Sequence, residues 1–178
     1  MSELKNRFDF VYIFDVQDGN PNGDPDAGNL PRVDAETVMG LVTDACLQRK
    51  VRNYIQVAKD GQPGYGILVR SKEISGEEVF INGEIRKMYA EDLGLDLKVK
   101  DKAPADKVAS GRNAMCKRFF DVRTFGAVLS TGPNAGQVRG PIQMTFARSV
   151  NPIVSEEHAL TVCAARDETK SYDSQVGI

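Results

Sequence analysis

The sequence predicts an α+β fold, a layer of sheet with helices on one face, and three stretches carry that expectation. Residues 8–16 alternate at period two, residues from 43 onward place apolar side chains at spacings of three and four, and residues 142–147 alternate again. The resulting order is strand, helix, strand, insertion, helix, strand, strand, and a ferredoxin-like split βαβ is its natural topology. At 178 residues, 41% hydrophobic and 27% charged, the chain is read as one domain, 1–178, with an insertion at about 70–107.

In chain order, Phe8, Phe10, Tyr12, Phe14 and Val16 fall on one face of the first strand. Val11 and Ile13 make part of the other face apolar, which predicts a central strand. Residues 15–32 are so dense in Gly, Pro, Asn and Asp that they must form an irregular loop with several turns. Asp34 or Thr43 could cap a helix; Gly40 weakens any helix spanning it, so the main helix is expected from about Thr43, with Leu47, Val51, Tyr54, Ile55 and Ala58 as its apolar stripe. Arg49, Lys50, Arg52 and Asn53 take the remaining surface.

Beyond the turn at Gly61-Gln62-Pro63-Gly64, Tyr65 to Val69 is a short strand candidate. Periodicity then fades through the insertion, where Gly76, Gly83 and Gly94 recur and 98–107 is rich in charge. A helical pattern returns at Val108, Arg112, Met115, Cys116, Phe119 and Phe120, with its apolar side expected on the sheet. Ala127-Val128-Leu129 is a short apolar run, and Ser130 to Pro141 reads as a Gly-rich loop. Ile142, Met144 and Phe146 alternate with Gln143, Thr145 and Ala147 as a second clear strand. Leu160 to Ala165 is a third candidate, and Asp167 to Ile178 reads as a polar tail.

Composition excludes several classes. No run approaches the roughly 18 apolar residues of a membrane span, no basic and apolar leader opens the chain, and Cys46, Cys116 and Cys163 form no C-x-x-C pair, so a reducing cytoplasmic setting is expected. A net charge of −2 leaves room for a polyanion site only if positive charge is local. His158 is the single histidine, so a Ser-His-Asp or Cys-His network has little to draw on, and no phosphate loop of the G-x-x-x-x-G-K-[ST] type occurs. No cofactor and no resident metal are expected.

The 15–32 loop admits three chemistries. Asp18, Asn20, Asn22 and Gly23 match positions 1, 3, 5 and 6 of a calcium loop, but position 12 is Asn29 where a bidentate Glu is required. Asp15, Asp18, Asp24 and Asp26 suggest carboxylates for a magnesium-dependent nuclease, although Asp favours turns for its own backbone bonding. Exposed turn amides with Asn20 and Asn22, flanked by Arg32, Arg49, Lys50 and Arg52, suit an RNA sugar-phosphate backbone. A run of Arg and Lys on a lone helix is more often a solvated face; the adjoining loop shifts the balance towards RNA.

The stretch from Phe8 through the loop to Arg32, then Leu41-Val42-Thr43-Asp44 and Arg49-Lys50-Val51-Arg52-Asn53, closely resembles the start of the backbone subunit of subtype I-C CRISPR surveillance complexes (Cascade), in the RAMP superfamily. Phe120 to Val128, Gly136 to Met144 and Phe146 to Val150 resemble the same family in the same order. That resemblance implies a modified RRM-like, ferredoxin-type core with insertions. It also implies a non-catalytic role, in which copies polymerise along CRISPR RNA and present its bases for pairing with target DNA. Implied partners are the CRISPR RNA, target DNA through the guide, further copies and other complex subunits, with no membrane. Backbone contacts are expected from Asn20, Asn22, Arg32, Arg49, Lys50 and Arg52, and also from Arg123, Gln137 and Arg139. Two departures stand out: Val38-Met39-Gly40 replaces the family's Gly-x-Gly before the helix, and the family continues beyond this length, so a core incomplete at its C-terminus is expected. The alternatives are a metal-dependent ribonuclease of the same superfamily using Asp15, Asp18 or Asp24, and a truncated subunit that joins or caps an RNA-bound filament.

Overall fold

Helix α1 (Asp44–Ala58) begins where the sequence predicts, because Thr43 has extended backbone and its hydroxyl accepts from Cys46 N at 3.2 Å. The structure, a computed structural model, describes residues 5–70 and 79–156 together with the strand backbones at 158–161 and 174–177. Its elements are β1 (Gly23–Asp24), β2 (Leu30–Pro31), β3 (Met39–Val42), α1, α2 (Ile81–Leu93), α3 (Val108–Arg118), α4 (Phe120–Phe125), β4 (Gly126–Val128), β5 (Gln137–Arg139), β6 (Ala147–Pro152), β7 (His158–Thr161) and β8 (Ser174–Gly177). The architecture is α+β, and the described strands join in four pairs: β1–β2, β3–β6, β4–β5 and β7–β8. The chain divides into two compact units, Met1–Val42 with Arg148–Ile178, and Thr43–Ala147.

The core of the 43–147 unit lies between helices. Ile85, Met88 and Tyr89 of α2 are fully buried, as are Met115 of α3, Val122 of α4 and Leu129. The apolar side of α3 therefore packs on α2, where the sequence predicted a sheet. Ile81, Ile85, Met88 and Tyr89 are spaced by four, three and one, a helical stripe inside the stretch where periodicity was expected to fade. Tyr89 crosses α3 at Gly111, where an added Cβ would collide with the ring, and its hydroxyl donates to Asn134 O at 2.9 Å. Burial pushes the Tyr89 phenol above its ordinary pKa, so it stays a neutral donor.

The expected helix through Phe120 is broken at Phe119, whose backbone is extended at φ −110° and ψ 118°. That break lets Gly66 N donate to Arg118 O at 3.1 Å and Phe120 N donate to Gly66 O at 2.7 Å, a single parallel bridge. Tyr65 to Val69 thus forms one bridge in place of the expected strand. The expected loop at 130–141 contains β5, which pairs antiparallel with β4 from Gly126↔Arg139 to Val128↔Gln137. Positive φ at Gly132, Asn134 and Gly136 supplies the turn, and Asn134 Oδ1 accepts from Gly136 N at 3.0 Å.

Two strand expectations are corrected. Phe8 to Val16 pairs with no described strand, and Phe8, Phe10, Val11, Tyr12 and Ile13 are all more than half exposed. Alternation specifies a strand's faces but cannot supply the hydrogen-bonding neighbour that makes a ladder. The second correction moves the strand expected at Ile142–Ala147 to β6, Ala147–Pro152. Ile142 N is instead tied to Thr124 O at 3.1 Å and Gln143 Nε2 to Gly140 O at 3.0 Å. Of the candidate at Leu160–Ala165, Leu160 and Thr161 lie in β7, and Val162 to Ala165 are outside the described residues. Within the expected polar tail, Ser174–Gly177 forms β8 antiparallel to β7, and the rest lies outside the described residues.

A turn at Asp34 leads into β3. Asp34 Oδ1 accepts from Glu36 N at 3.1 Å and Thr37 N at 3.0 Å, and its Oδ2 accepts from Arg148 at 3.0 Å. The turn then forces Val38 to φ 58°, a left-handed conformation that a β-branched residue rarely adopts. Val38→Gly should relieve roughly 1–2 kcal/mol of strain against about 0.5–1 kcal/mol of added chain entropy. A net stabilisation of about 0.5–1 kcal/mol is expected in urea denaturation.

The hydrogen bond from Arg148, followed by those from Thr37 and Glu36, lowers the Asp34 carboxyl from 3.8 to about 2. Because the folded value is depressed, this carboxylate's contribution is present above about pH 4 and is lost as pH falls towards 2. Arg148→Ala should move the Asp34 titration, followed by carboxyl NMR, upward towards its ordinary value and shrink the acid-induced loss of stability in that window.

Candidate nucleic-acid interface

In the 15–32 loop the Asn side chains are spent on the loop itself. Asn20 Nδ2 donates to Asn29 O at 2.8 Å, and Asn20 Oδ1 accepts from Asn22 N at 3.2 Å. Asn22 Nδ2 donates to Gly23 O at 3.3 Å, and Asn22 O accepts from Arg32 N at 3.1 Å. These bonds staple β1 to β2 and hold a preformed shape, with a 3₁₀ turn at Pro25–Ala27. Asp24 caps that turn by accepting from Asp26 N at 3.2 Å, and its carboxylate lies 3.5 Å from the half-buried Arg32 guanidinium. Asp15 and Asp18 are exposed, Asp18 at φ 52°. Among the described residues no three His, Cys, Asp or Glu side chains gather as a metal site.

On α1 the three cations separate by role. Arg49 and Lys50 are exposed, whereas Arg52 is 13% exposed and donates from Nε to Asp121 Oδ2 at 3.2 Å. The Arg52 guanidinium also lies 5.2 Å from the Phe125 ring centroid, a cation–π contact. Asp121 is 1% exposed and accepts twice more, from Leu68 N and Val69 N, each at 2.9 Å. Arg52 thus ties the exposed Arg49 and Lys50 to the core of the unit.

Arg123 sits over the Phe120 and Tyr65 rings at 5.3 and 5.5 Å, while its guanidinium donates to Gly64 O and Cys116 O. Tyr65 and Phe120 are stacked at 6.1 Å, and Lys59 Nζ lies 5.7 Å from the Tyr65 ring. Burial raises the Cys116 thiol pKa, with weaker opposition from Arg112 and Arg123, so this sulfur is a packing group and not a ready thiolate. Gln137 and Arg139 are exposed at the two ends of β5 and flank the half-buried Val138.

The structure therefore places Asn20, Asn22 and Arg32 in one stapled loop, Arg49, Lys50 and Arg52 on one helix, Arg123 on the stacked rings, and Gln137 with Arg139 on one strand. Sequence reading missed Asp121, Lys59, Tyr65 and Phe120. A carboxylate inside the apolar run Phe119-Phe120-Asp121-Val122 is itself a signal, since burial of such a group demands donors.

A family profile described as CRISPR-associated protein Cas7 matches residues 6–177. This chain belongs to the Cas7 family. A relative named "CRISPR-associated protein Cas7", from Haloferax volcanii, is 28% identical over 170 residues, covering 85% of this chain. The chain spans 45% of that relative's length. Within the family match lie the stapled loop, α1 and the Asp121 node. Among the described residues of this Cas7-family chain, no helix is long and apolar enough to cross a membrane.

If Asp121 anchors the Arg52 side of α1, Asp121→Asn should cost about 3–5 kcal/mol, as expected when one partner of a buried pair is removed. Arg52→Met should cost less, because Asp121 keeps the Leu68 and Val69 donors. Equilibrium urea denaturation of the two variants checks that order.

Proposed function

We propose that this chain is a non-catalytic CRISPR RNA-binding backbone subunit of the subtype I-C kind, whose copies assemble along one guide RNA. Its bases then face outward to pair with target DNA, and protein contacts read shape and phosphate charge, not sequence. The observation that carries this reading is the division of labour on α1: Arg52 is bound to the buried Asp121, which holds Arg49 and Lys50 outward on a fixed support. Family membership across residues 6–177 supports the same reading.

In this proposal the core is a modified RRM-like, ferredoxin-type sheet. The stapled loop offers backbone amides and Arg32 to the RNA, and Arg123, Gln137 and Arg139 add contacts in the 43–147 unit. Partners are the guide RNA, the target strand, further copies and other subunits of a cytoplasmic complex. The ribonuclease alternative gains nothing from Asp24, whose carboxylate already serves Asp26 N and Arg32.

Arg49→Ala with Lys50→Ala should weaken single-stranded RNA binding equally for all sequences. The slope of log affinity against log salt should fall by about 0.7 for each lost phosphate contact. An unchanged slope would return this helix face to ordinary solvation. Labelled RNA incubated with magnesium and the unaltered protein should remain intact.

A further inference from the structure

Asn22-Gly23 and Asn82-Gly83 are the two Asn-Gly pairs in the chain, and the fold treats them differently. An Asn followed by Gly is open to attack at its side-chain Cγ by the next backbone nitrogen, because the second residue has no Cβ to crowd the approach and its backbone turns freely. At Asn82 that reaction is blocked twice. Gly83 N donates to Phe80 O at 2.8 Å in the first turn of α2, and the Asn82 carboxamide is held aside, its Oδ1 accepting from Thr131 Oγ1 at 3.3 Å. Asn22 sits in the bend before β1, and its Nδ2 donates to Gly23 O at 3.3 Å, so the carboxamide folds back along the residue that supplies the attacking nitrogen. Asn20 precedes Pro21, which has no N–H to give up.

We infer that Asn22 is a deamidation site whose reaction unlocks the loop. Gly23 N forms a bond to Asn22 Cγ as the Cγ–Nδ2 bond breaks, Nδ2 leaves as ammonia with the proton from Gly23 N–H, and a cyclic succinimide remains. Water then opens the ring. Cleavage of the new bond to Cγ gives an aspartate, and cleavage of the original peptide bond gives an isoaspartate, whose main chain runs through the side chain. Either product replaces the Nδ2 donor with a carboxylate oxygen facing the Gly23 carbonyl, and adds negative charge to a loop that already holds Asp18, Asp24 and Asp26. In the isoaspartate, the Asn22 carbonyl that accepts from Arg32 N at 3.1 Å leaves the main chain, which lengthens by one atom just before Gly23 meets Pro31. The β1–β2 ladder then loses its register. For RNA the consequence rests on the reading proposed above: the loop loses its preformed shape and repels phosphate.

The test is peptide mass mapping of the RNA-free full chain, incubated at mildly alkaline pH and sampled over time, with isoaspartate detected by enzymatic methylation. Conversion at Asn22 many-fold faster than at Asn82 is expected. It should accelerate with pH, because the attacking nitrogen must lose its proton, and stop in Asn22→Gln, whose longer side chain would have to close a larger ring. Equal rates at the two pairs, or an Asn22 that converts only after the chain is denatured, would overturn the inference. In the converted fraction the amides of Asn29 and Arg32 should exchange faster and RNA affinity should fall, while Asn22→Gln aged in parallel keeps its starting affinity. Unchanged exchange at both amides would overturn the unlocking. Fresh protein without RNA affinity would count against the backbone-subunit reading alone, since mass mapping and exchange use no RNA.

Discussion

One buried carboxylate organises the larger unit. Asp121 is almost wholly withdrawn from water, and a charge placed there is tolerable only with several donors converging on it. It receives Leu68 N, Val69 N and Arg52 Nε, and so joins three pieces of chain distant in sequence: the connection after Gly66, helix α1 and helix α4. The break at Phe119 is part of the same constraint. By leaving helical geometry for one residue, the chain bridges to Gly66 and starts α4 anew, with Asp121 near its beginning.

In the proposed reading, the consequence is a rigid mount for positive charge. Flexible Lys and Arg side chains lose conformational entropy on binding phosphate, so a supporting helix fixed to the core limits further loss from the backbone. Arg52 and Arg123 are engaged with protein carboxylate, carbonyls and rings, and the side chains of Arg49, Lys50 and Arg139 are exposed. The Asn-rich loop works by a related principle: its side chains bond its own backbone, so its shape exists before any ligand arrives.

Local signals proved legible, and non-local ones did not. Thr43 as cap could be read because the hydroxyl, the Cys46 amide and the apolar stripe lie within a few residues. The irregularity of the 15–32 loop was equally local, down to the Asp24 cap. Helix α2 had a readable stripe at Ile85, Met88 and Tyr89, but recurring glycines masked it; one of the helical glycines, Gly111 in α3, exists to admit the Tyr89 ring. Strand neighbours could not be read, since period two marks faces and says nothing of pairing, as Phe8 to Val16 and the displaced β6 both show. At the site, the clustered cations of α1 were visible as a group. Their division into one core-bound and two exposed members depended on Asp121, sixty-nine residues away from Arg52.

The central claim is that this Cas7-family chain holds guide RNA by its backbone without cutting it. It is tested most directly by purifying the protein from cells that transcribe a CRISPR array and sequencing the nucleic acid that accompanies it. The account requires intact guide RNAs of discrete length, bound irrespective of spacer sequence. Protein free of RNA, or carrying only fragments cut within the guide, would contradict it.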